Sequence, residues 1–442
     1  MASSSMAGGL DRSVKRGDET QSFPVAGAPA EICVVPKHLP GAEYRGKDGA
    51  KDRDRERQLC SYDLHKDGPT SETHGVGACP KISSTSASIE FQELVAANTK
   101  ESIESIEKCG RERPTDKLTK FKTTDNDRTC TYAPGAMLTY HLSRYLGDIL
   151  EVPAMVLRTI DLDVMQKVAV NATKMKINGV LRKSYQNYID AYRDPSRADM
   201  ASSIYTSDLK QLFGFLRDNV KADFTHPGWV DGVQGGAFEG MEGVRDAFSS
   251  TPAATIFGKQ LSQVSLQRLQ TARDYADLIV LDQLSSQSDR YTGLNLGGVN
   301  YYYFRDGDKN LSSVEKRKVD KGEKPLPAGA LLIRRVVSKD NDCTFINGNV
   351  NAKLGYTARL RHINPKTYAG VQKLARAFTA DSQIKDFMLT DLNMAQRYID
   401  IFAKNLSSVS DTLRENCRSG ALKLDLNPEA NFLGAESAQS CE

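Results

Sequence analysis

The sequence predicts an α+β protein in two lobes, a small mixed N-terminal part followed by a larger, mainly helical part. Three observations lead there. The 442-residue chain is long enough for two or three packed units and a sizeable core. Up to about residue 160, short strand-like runs dominate around one clear helix. Beyond it, apolar residues recur at helical spacing. The expected divisions are a disordered leader at 1–30, a cysteine-containing, loop-rich segment at 31–85, an N-terminal lobe at 86–160 and a C-terminal lobe at 161–442.

Residues 1–30 are small, polar and aperiodic, which favours disorder. YRGKDGAKDRDRER, 44–57, alternates charge without an apolar stripe and reads as a solvated loop. Residues 60–80 continue as loop. There, Cys60-x4-His65 and His74-x4-Cys79 form a mirrored pattern that zinc accepts, but the spacing is loose and favours a Cys60–Cys79 disulfide or coincidence. SIEFQELV and LTKFKTT are strand-like. In PGAMLTYHLSRYL, 134–146, Met137, Leu138, His141, Leu142 and Tyr145 fall on one helical face, and Pro134 suits a first turn. EVPAMVLRTI returns to a strand. Leu209, Leu212, Phe213, Leu216 and Val220 make a helical stripe. Residues 228–243 hold six glycines around Trp229 without a phosphate-cradle pattern, and read as a surface loop or lid. LQRLQTARDYADLIVLDQL, 266–284, is the strongest helix, apolar almost all round in its second half as in a domain centre. Ile384, Phe387, Met388, Ala395, Tyr398, Ile399, Phe402 and Leu406 make a last amphipathic helix.

Composition excludes several classes. With 39% apolar residues, 26% charged residues and a net charge of +3, nothing suggests a nucleic-acid binder. No run of about 18 apolar residues offers a membrane span. Eight cysteines, five of them at or before Cys130, resemble a disulfide framework and an extracellular or periplasmic location. The opening residues carry no apolar signal segment, which keeps a cytoplasmic location as the alternative. A GxSxG elbow, an HExxH helix, a CxxC pair and a dinucleotide glycine fingerprint are all absent.

Two segments beyond the apolar helix carry the chemistry: SSQSDRYTGLN, 285–295, and VVSKDNDCTF, 336–345, which follows the strand-like ALLIRRVV. Phosphoryl transfer needs one carboxylate to take the proton of an attacking hydroxyl. It needs a second, usually with an Asn, to hold a magnesium ion, and a lysine for the remaining phosphates. Asp289 suits the first role, with Arg290 beside it. Asp340 suits the second, and Asn295 can complete the metal shell. Bland readings stand beside these. Asp289–Arg290 can be a surface ion pair, and Asp340-Asn341-Asp342 a turn. The basic loop holding Lys316 to Lys324 reads as solvated, Tyr301 to Tyr303 as sheet packing, and His141 as a core histidine.

Ser288-Asp289-Arg290-Tyr291-Thr292-Gly293-Leu294-Asn295 resembles the catalytic loop of the atypical kinases of the secretory pathway, the family of the Golgi casein kinase and Four-jointed. That family places DR(H/x)xxN after a buried helix and a metal-binding DN or DG downstream. Asp340-Asn341-Asp342 is similar to the second element, with Asp342 a nearby alternative to Asp340. Residues 139–160 are similar to the family's N-lobe helix and following strand. Lys122 of KFK falls where the family carries its nucleotide-binding lysine, with Lys120 an adjacent competitor. The resemblance spans roughly residues 115–345, and the chain looks like a divergent, bacterial-type member.

It implies a two-lobed kinase-like fold, ATP with Mg2+ or Mn2+, and a hydroxyl-bearing acceptor, either protein Ser/Thr or a small molecule. Asp289 would be catalytic, Lys122 would contact the nucleotide, and Asp340 and Asn295 would bind metal. Three departures accompany it. Asn295 stands sixth after Asp289 where the family's Asn stands fifth. Ala136 occupies the helix position of the lysine-pairing Glu, leaving Glu90, Glu93 or Glu101 as substitutes. The stretch from Asp289 to Asp340 is longer than usual. These departures motivate the alternative of a pseudokinase that binds nucleotide or activates a partner.

Overall fold

Seven antiparallel strands in the order β1-β2-β6-β7-β5-β4-β3 make the sheet of the first lobe. The computed structural model describes residues 17–65, 75–82, 86–94, 117–123, 130–194, 205–206, 208–219, 238–290, 296–345, 348–436 and 440–441. The strands are β1 (Glu19–Val25), β2 (Ala28–Val35), β3 (Gly75–Pro80), β4 (Ile89–Leu94), β5 (Lys117–Thr123), β6 (Met155–Asp161) and β7 (Gln211–Asp218). Helices α1 (Ala50–Cys60), α2 (Ala133–Tyr145), α3 (Leu162–Lys174) and α4 (Gly179–Arg193) accompany it.

The second lobe is mainly helical: α5 (Glu242–Phe248), α6 (Gln263–Leu284), α7 (Pro365–Ala380) and α8 (Gln396–Arg418). It also carries a three-stranded sheet, β10-β8-β9, from β8 (Leu296–Arg305), β9 (Leu311–Glu315) and β10 (Leu331–Ser338). This is the two-lobed α+β architecture expected. Helix α6 starts in a reciprocal Ser262/Ser265 capping box and buries Leu278, Ile279, Val280 and Leu281 completely. Asp274 on its buried face takes the Arg335 guanidinium at 2.8 Å and the Val336 amide at 2.9 Å, fixing β10 against the helix.

Several expectations are corrected. Within the expected leader, residues 19–25 form β1 and residues 28–30 open β2, and the sheet runs on to residue 218 rather than closing at 160. The charged stretch 44–57 is a loop only in its first part, because residues 50–57 belong to α1. The inward face of α1 is polar and paired: Asp52 binds Arg144 at 2.8 Å, and Glu56 accepts from Tyr140 at 2.9 Å. No apolar stripe could announce such a helix. Leu212, Phe213 and Leu216 of the stripe at 209–220 lie in strand β7, Leu209 precedes it and Val220 lies outside the described residues; a strand in mid-sheet, covered on both faces, shows a continuous apolar run that mimics a helix. The last amphipathic pattern is broken by a π-turn at Phe387–Asp391 before α8 begins.

The mirrored zinc pattern also fails. Cys60 is bonded to Cys33, Cys79 is disulfide-bonded as well, and His65 donates to Glu31 at 2.8 Å. His74 lies outside the described residues, as do Trp229 and 228–237 of the expected lid. Cys130–Cys343 and Cys417–Cys441 are the other disulfides among the described residues. They are consistent with an oxidising compartment. No helix of the described residues is long and apolar enough to cross a membrane.

Candidate active site

Strand alternation in KFK builds one wall of the site. Lys120 and Lys122, two apart on β5, share a face while Phe121 enters the opposite core. Both lysines are buried. In the β5–β7 register Lys120 stands directly opposite Arg217, so two cations meet across the strands. The other wall is the loop after β10, where Asp340 adopts a left-handed conformation (φ 47°). That turn delivers Asp340 and Asp342 to the lysines. Lys122 Nζ donates to Asp342 Oδ2 at 2.5 Å and lies 3.8 Å from Asp340 Oδ1. Asp340 Oδ1 also accepts from Arg217 at 2.6 Å and from Lys120 at 3.3 Å.

Asp289 comes from the segment after α6, which is tied to the same loop. Ser288 N donates to the Cys343 carbonyl at 3.0 Å, and Gln287 Nε2 donates to the Asp340 carbonyl at 3.1 Å. Arg290 is completely buried and fastens both segments. It donates to Asp282 at 2.9 and 3.1 Å, to Ser338 Oγ at 2.9 Å, to the Lys339 carbonyl at 2.7 Å and to Asn341 Oδ1 at 2.5 Å. The surface-ion-pair reading of Asp289–Arg290 is therefore corrected: Arg290 faces inward to Asp282. The Cys130–Cys343 disulfide clamps the loop to the start of α2, and the Tyr132 amide donates to the Asp342 carbonyl at 2.7 Å. Contact there is so close that a Cβ on Gly135 would lie 1.9 Å from Thr344 Oγ1.

The electrostatics follow from this crowding. Burial pushes the Asp289 carboxyl up to about 7, and the Asp342 charge adds to it against Arg290 and Lys122. Burial also opposes charge on Asp340, but Lys120, Arg217, Lys122 and Lys81 together hold its carboxyl well below the usual range. Asp342 is lowered in the same way, burial being outweighed by Lys122. Lys122 is raised despite burial, by Asp342 and Asp340. Lys120 is pushed well below an ordinary lysine by burial, with the repulsion of Lys122, Arg217 and Lys81 added, and one shared carboxylate does not compensate.

Asp289, Asp340 and Lys122 therefore come together, and Asn295 lies outside the described residues. The partner of Lys122 is Asp342; Glu90 is engaged by Lys117 at 2.5 Å, Glu101 lies outside the described residues, and Ala136 is buried in α2. Lys120 lies on the same face as Lys122, as the two-residue spacing implies, and reaches the same Asp340. Arg217 and Lys81 were not legible from local sequence, because only the strand pairing gathers them.

The donor set can be tested against a metal–nucleotide pair. Hard carboxylate oxygens suit Mg2+ or Mn2+, and buried lysines suit phosphate oxygens, so the residues present fit both together. The Cys130 and Cys343 sulfurs lie within 4.8 Å of an Asp289 oxygen, but in a disulfide they offer no thiolate to a metal.

No protein-family model matches the chain, and no curated protein matches it. Among solved structures it is similar to a crystal structure of the Golgi casein kinase, at 12% identity and a TM-score of 0.44, covering 86% of this chain and 79% of that one. It is also similar to a Golgi casein kinase crystal structure with Mn and ADP bound, at 11% identity and a TM-score of 0.40, covering 86% and 78%. Likenesses this remote carry no weight for the chemistry, which rests on the side chains.

Proposed function

We propose that this chain is an ATP-dependent phosphotransferase of the atypical kinase type, with a kinase-like arrangement of its two lobes. It would transfer the γ-phosphate to a hydroxyl acceptor, protein Ser/Thr foremost. The observation that carries the reading is the convergence of Lys122, Asp340, Asp342 and Asp289, drawn from three segments as far as 220 positions apart, in one partly buried cluster. Phosphoryl transfer asks little covalent chemistry of a protein beyond position and charge.

Asp289, with a carboxyl near 7, can take the acceptor proton close to neutral pH and release it afterwards. Lys122 is raised and stays cationic, able to turn from Asp342 to phosphate oxygens. Asp340 and Asp342 are held ionised and would ligate Mg2+ or Mn2+, with Asn295 as a further donor. When bound, the divalent ion neutralises phosphate charge. Extracellular or periplasmic work agrees with the disulfides. A divergent, bacterial-type member of the atypical secretory-pathway kinases is the lineage this reading implies.

The test is labelled-phosphate transfer from ATP with Mg2+ or Mn2+, by the wild type and by Asp289→Ala. Transfer falls about 100-fold or more in the variant while its circular dichroism is unchanged. Transfer at the wild-type rate in Asp289→Ala overturns the assignment. The second reading, a nucleotide-binding pseudokinase, draws on the Lys122–Asp342 pair, which occupies both the phosphate lysine and a metal carboxylate. Thermal stabilisation by ATP and Mn2+ without transfer to any acceptor selects it.

A further inference from the structure

Lys120 and Arg217 have no part in the transfer proposed above, although they crowd the same carboxylate. Lys120 and Arg217 face each other across β5 and β7, a placement in which like charges repel. Asp340 Oδ1 relieves it by accepting from both, at 3.3 and 2.6 Å, with Lys122 3.8 Å away. Lys120 is only 2% exposed. The cluster sets three basic side chains, Lys120, Lys122 and Arg217, around the carboxylates of Asp340 and Asp342, in a space where burial works against full protonation of Lys120. Buried charge left in excess is costly until a counter-charge arrives. An anion supplies it. A divalent cation arriving alone meets the reverse situation, because it must displace three cations from Asp340 and join a cluster already positive.

We infer that Lys120 and Arg217 form a second polyphosphate subsite beside Lys122, and that the site fills anion first. A linear di- or triphosphate, free or carried by a nucleotide, draws the cations off Asp340, and only then is the carboxylate available to a divalent ion. The inference rests on the phosphotransferase reading solely for the expectation that the phosphates belong to a nucleotide.

Isothermal titration calorimetry on the full chain tests it, with tripolyphosphate in EDTA, ADP in EDTA, Mn2+ alone, and Mn2+ after tripolyphosphate. Both phosphates bind in EDTA, and Mn2+ binds only after tripolyphosphate. Lys120→Met weakens tripolyphosphate at least tenfold, about 1.4 kcal/mol, and strengthens Mn2+ alone at least tenfold. Arg217→Met gives the same pair of opposite signs, and Lys120→Arg restores wild-type behaviour. Loss of affinity for both ligands in the Met variants, no phosphate binding in EDTA, or equal Mn2+ binding with and without tripolyphosphate overturns the inference. Transfer assayed on the same samples separates the two proposals. Transfer with metal-first binding sinks the order alone, whereas tripolyphosphate binding in EDTA without transfer sinks the phosphotransferase reading alone.

Discussion

Two buried charge clusters lie side by side and are built on opposite principles. Around Arg290, one guanidinium meets one carboxylate, Asp282, and its remaining hydrogens find Ser338, Asn341 and a carbonyl. Both partners are fully buried. Around Asp340, cations outnumber carboxylates, Lys120 is pushed well below its ordinary range by burial, and Asp289 is pushed up to about 7. The first cluster is saturated and joins α6 to the loop after β10. The second is left unbalanced. Balanced charge suits the part that holds geometry, and unbalanced charge suits the second cluster to the ligand proposed for it.

Removing the centre of each cluster separates them most sharply. Arg290→Met strands Asp282 in the core and is expected to cost about 3–5 kcal/mol in denaturant unfolding. Lys120→Met removes a buried amine whose charge burial opposes, and leaves stability unchanged or higher. Equal losses in both variants would erase the contrast.

The disulfide beside the site comes next. Cys130–Cys343 closes 213 positions of chain, and Cys343→Ser is expected to cost about 2–5 kcal/mol by chemical denaturation, with transfer lost along with the loop's position.

A smaller effect is a matter of pH. The folded-state carboxyl of Asp289, near 7, stands above its ordinary 3.8. Its contribution to stability is therefore complete below 3.8 and is lost as pH rises through 7. Asp289→Asn is expected to melt above the wild type at pH 8 and to lose that advantage by pH 4. The wild-type transfer rate should fall below pH 7 as the base becomes protonated. A flat rate profile between pH 6 and 8 speaks against Asp289 as the base.

The smallest effect lies at the surface. Glu19→Gln, in the exposed Glu19–Arg57 pair, leaves the denaturation midpoint and transfer unchanged, as solvent screening of an exposed pair implies.

Much of this was legible where a residue's role depends on its neighbours in sequence. LQRLQTARDYADLIVLDQL announced α6 because an apolar circumference has few other uses, and ALLIRRVV announced β10. Asp289, Asp340 and Lys122 were legible as residue types after a buried helix, after a strand and on a strand. Their convergence was not, since Lys122 and Asp342 meet across 220 positions. Helix α1 was hidden because its buried face is ionic, and β7 because a two-faced strand carries no alternation. Losing β7 also hid Arg217. Arg290 was in view, but its inward aim toward Asp282 depends on a helix end that no spacing rule encodes.

Manganese anomalous scattering from crystals grown with ADP tests most directly whether these groups make one ligand-binding centre. A Mn2+ peak coordinated by Asp340 and Asp342, ADP phosphate oxygens on Lys122, and Asp289 facing the open side of the phosphates are expected. A metal peak away from both carboxylates, or ADP held elsewhere with the Lys122–Asp342 pair intact, would contradict a single centre.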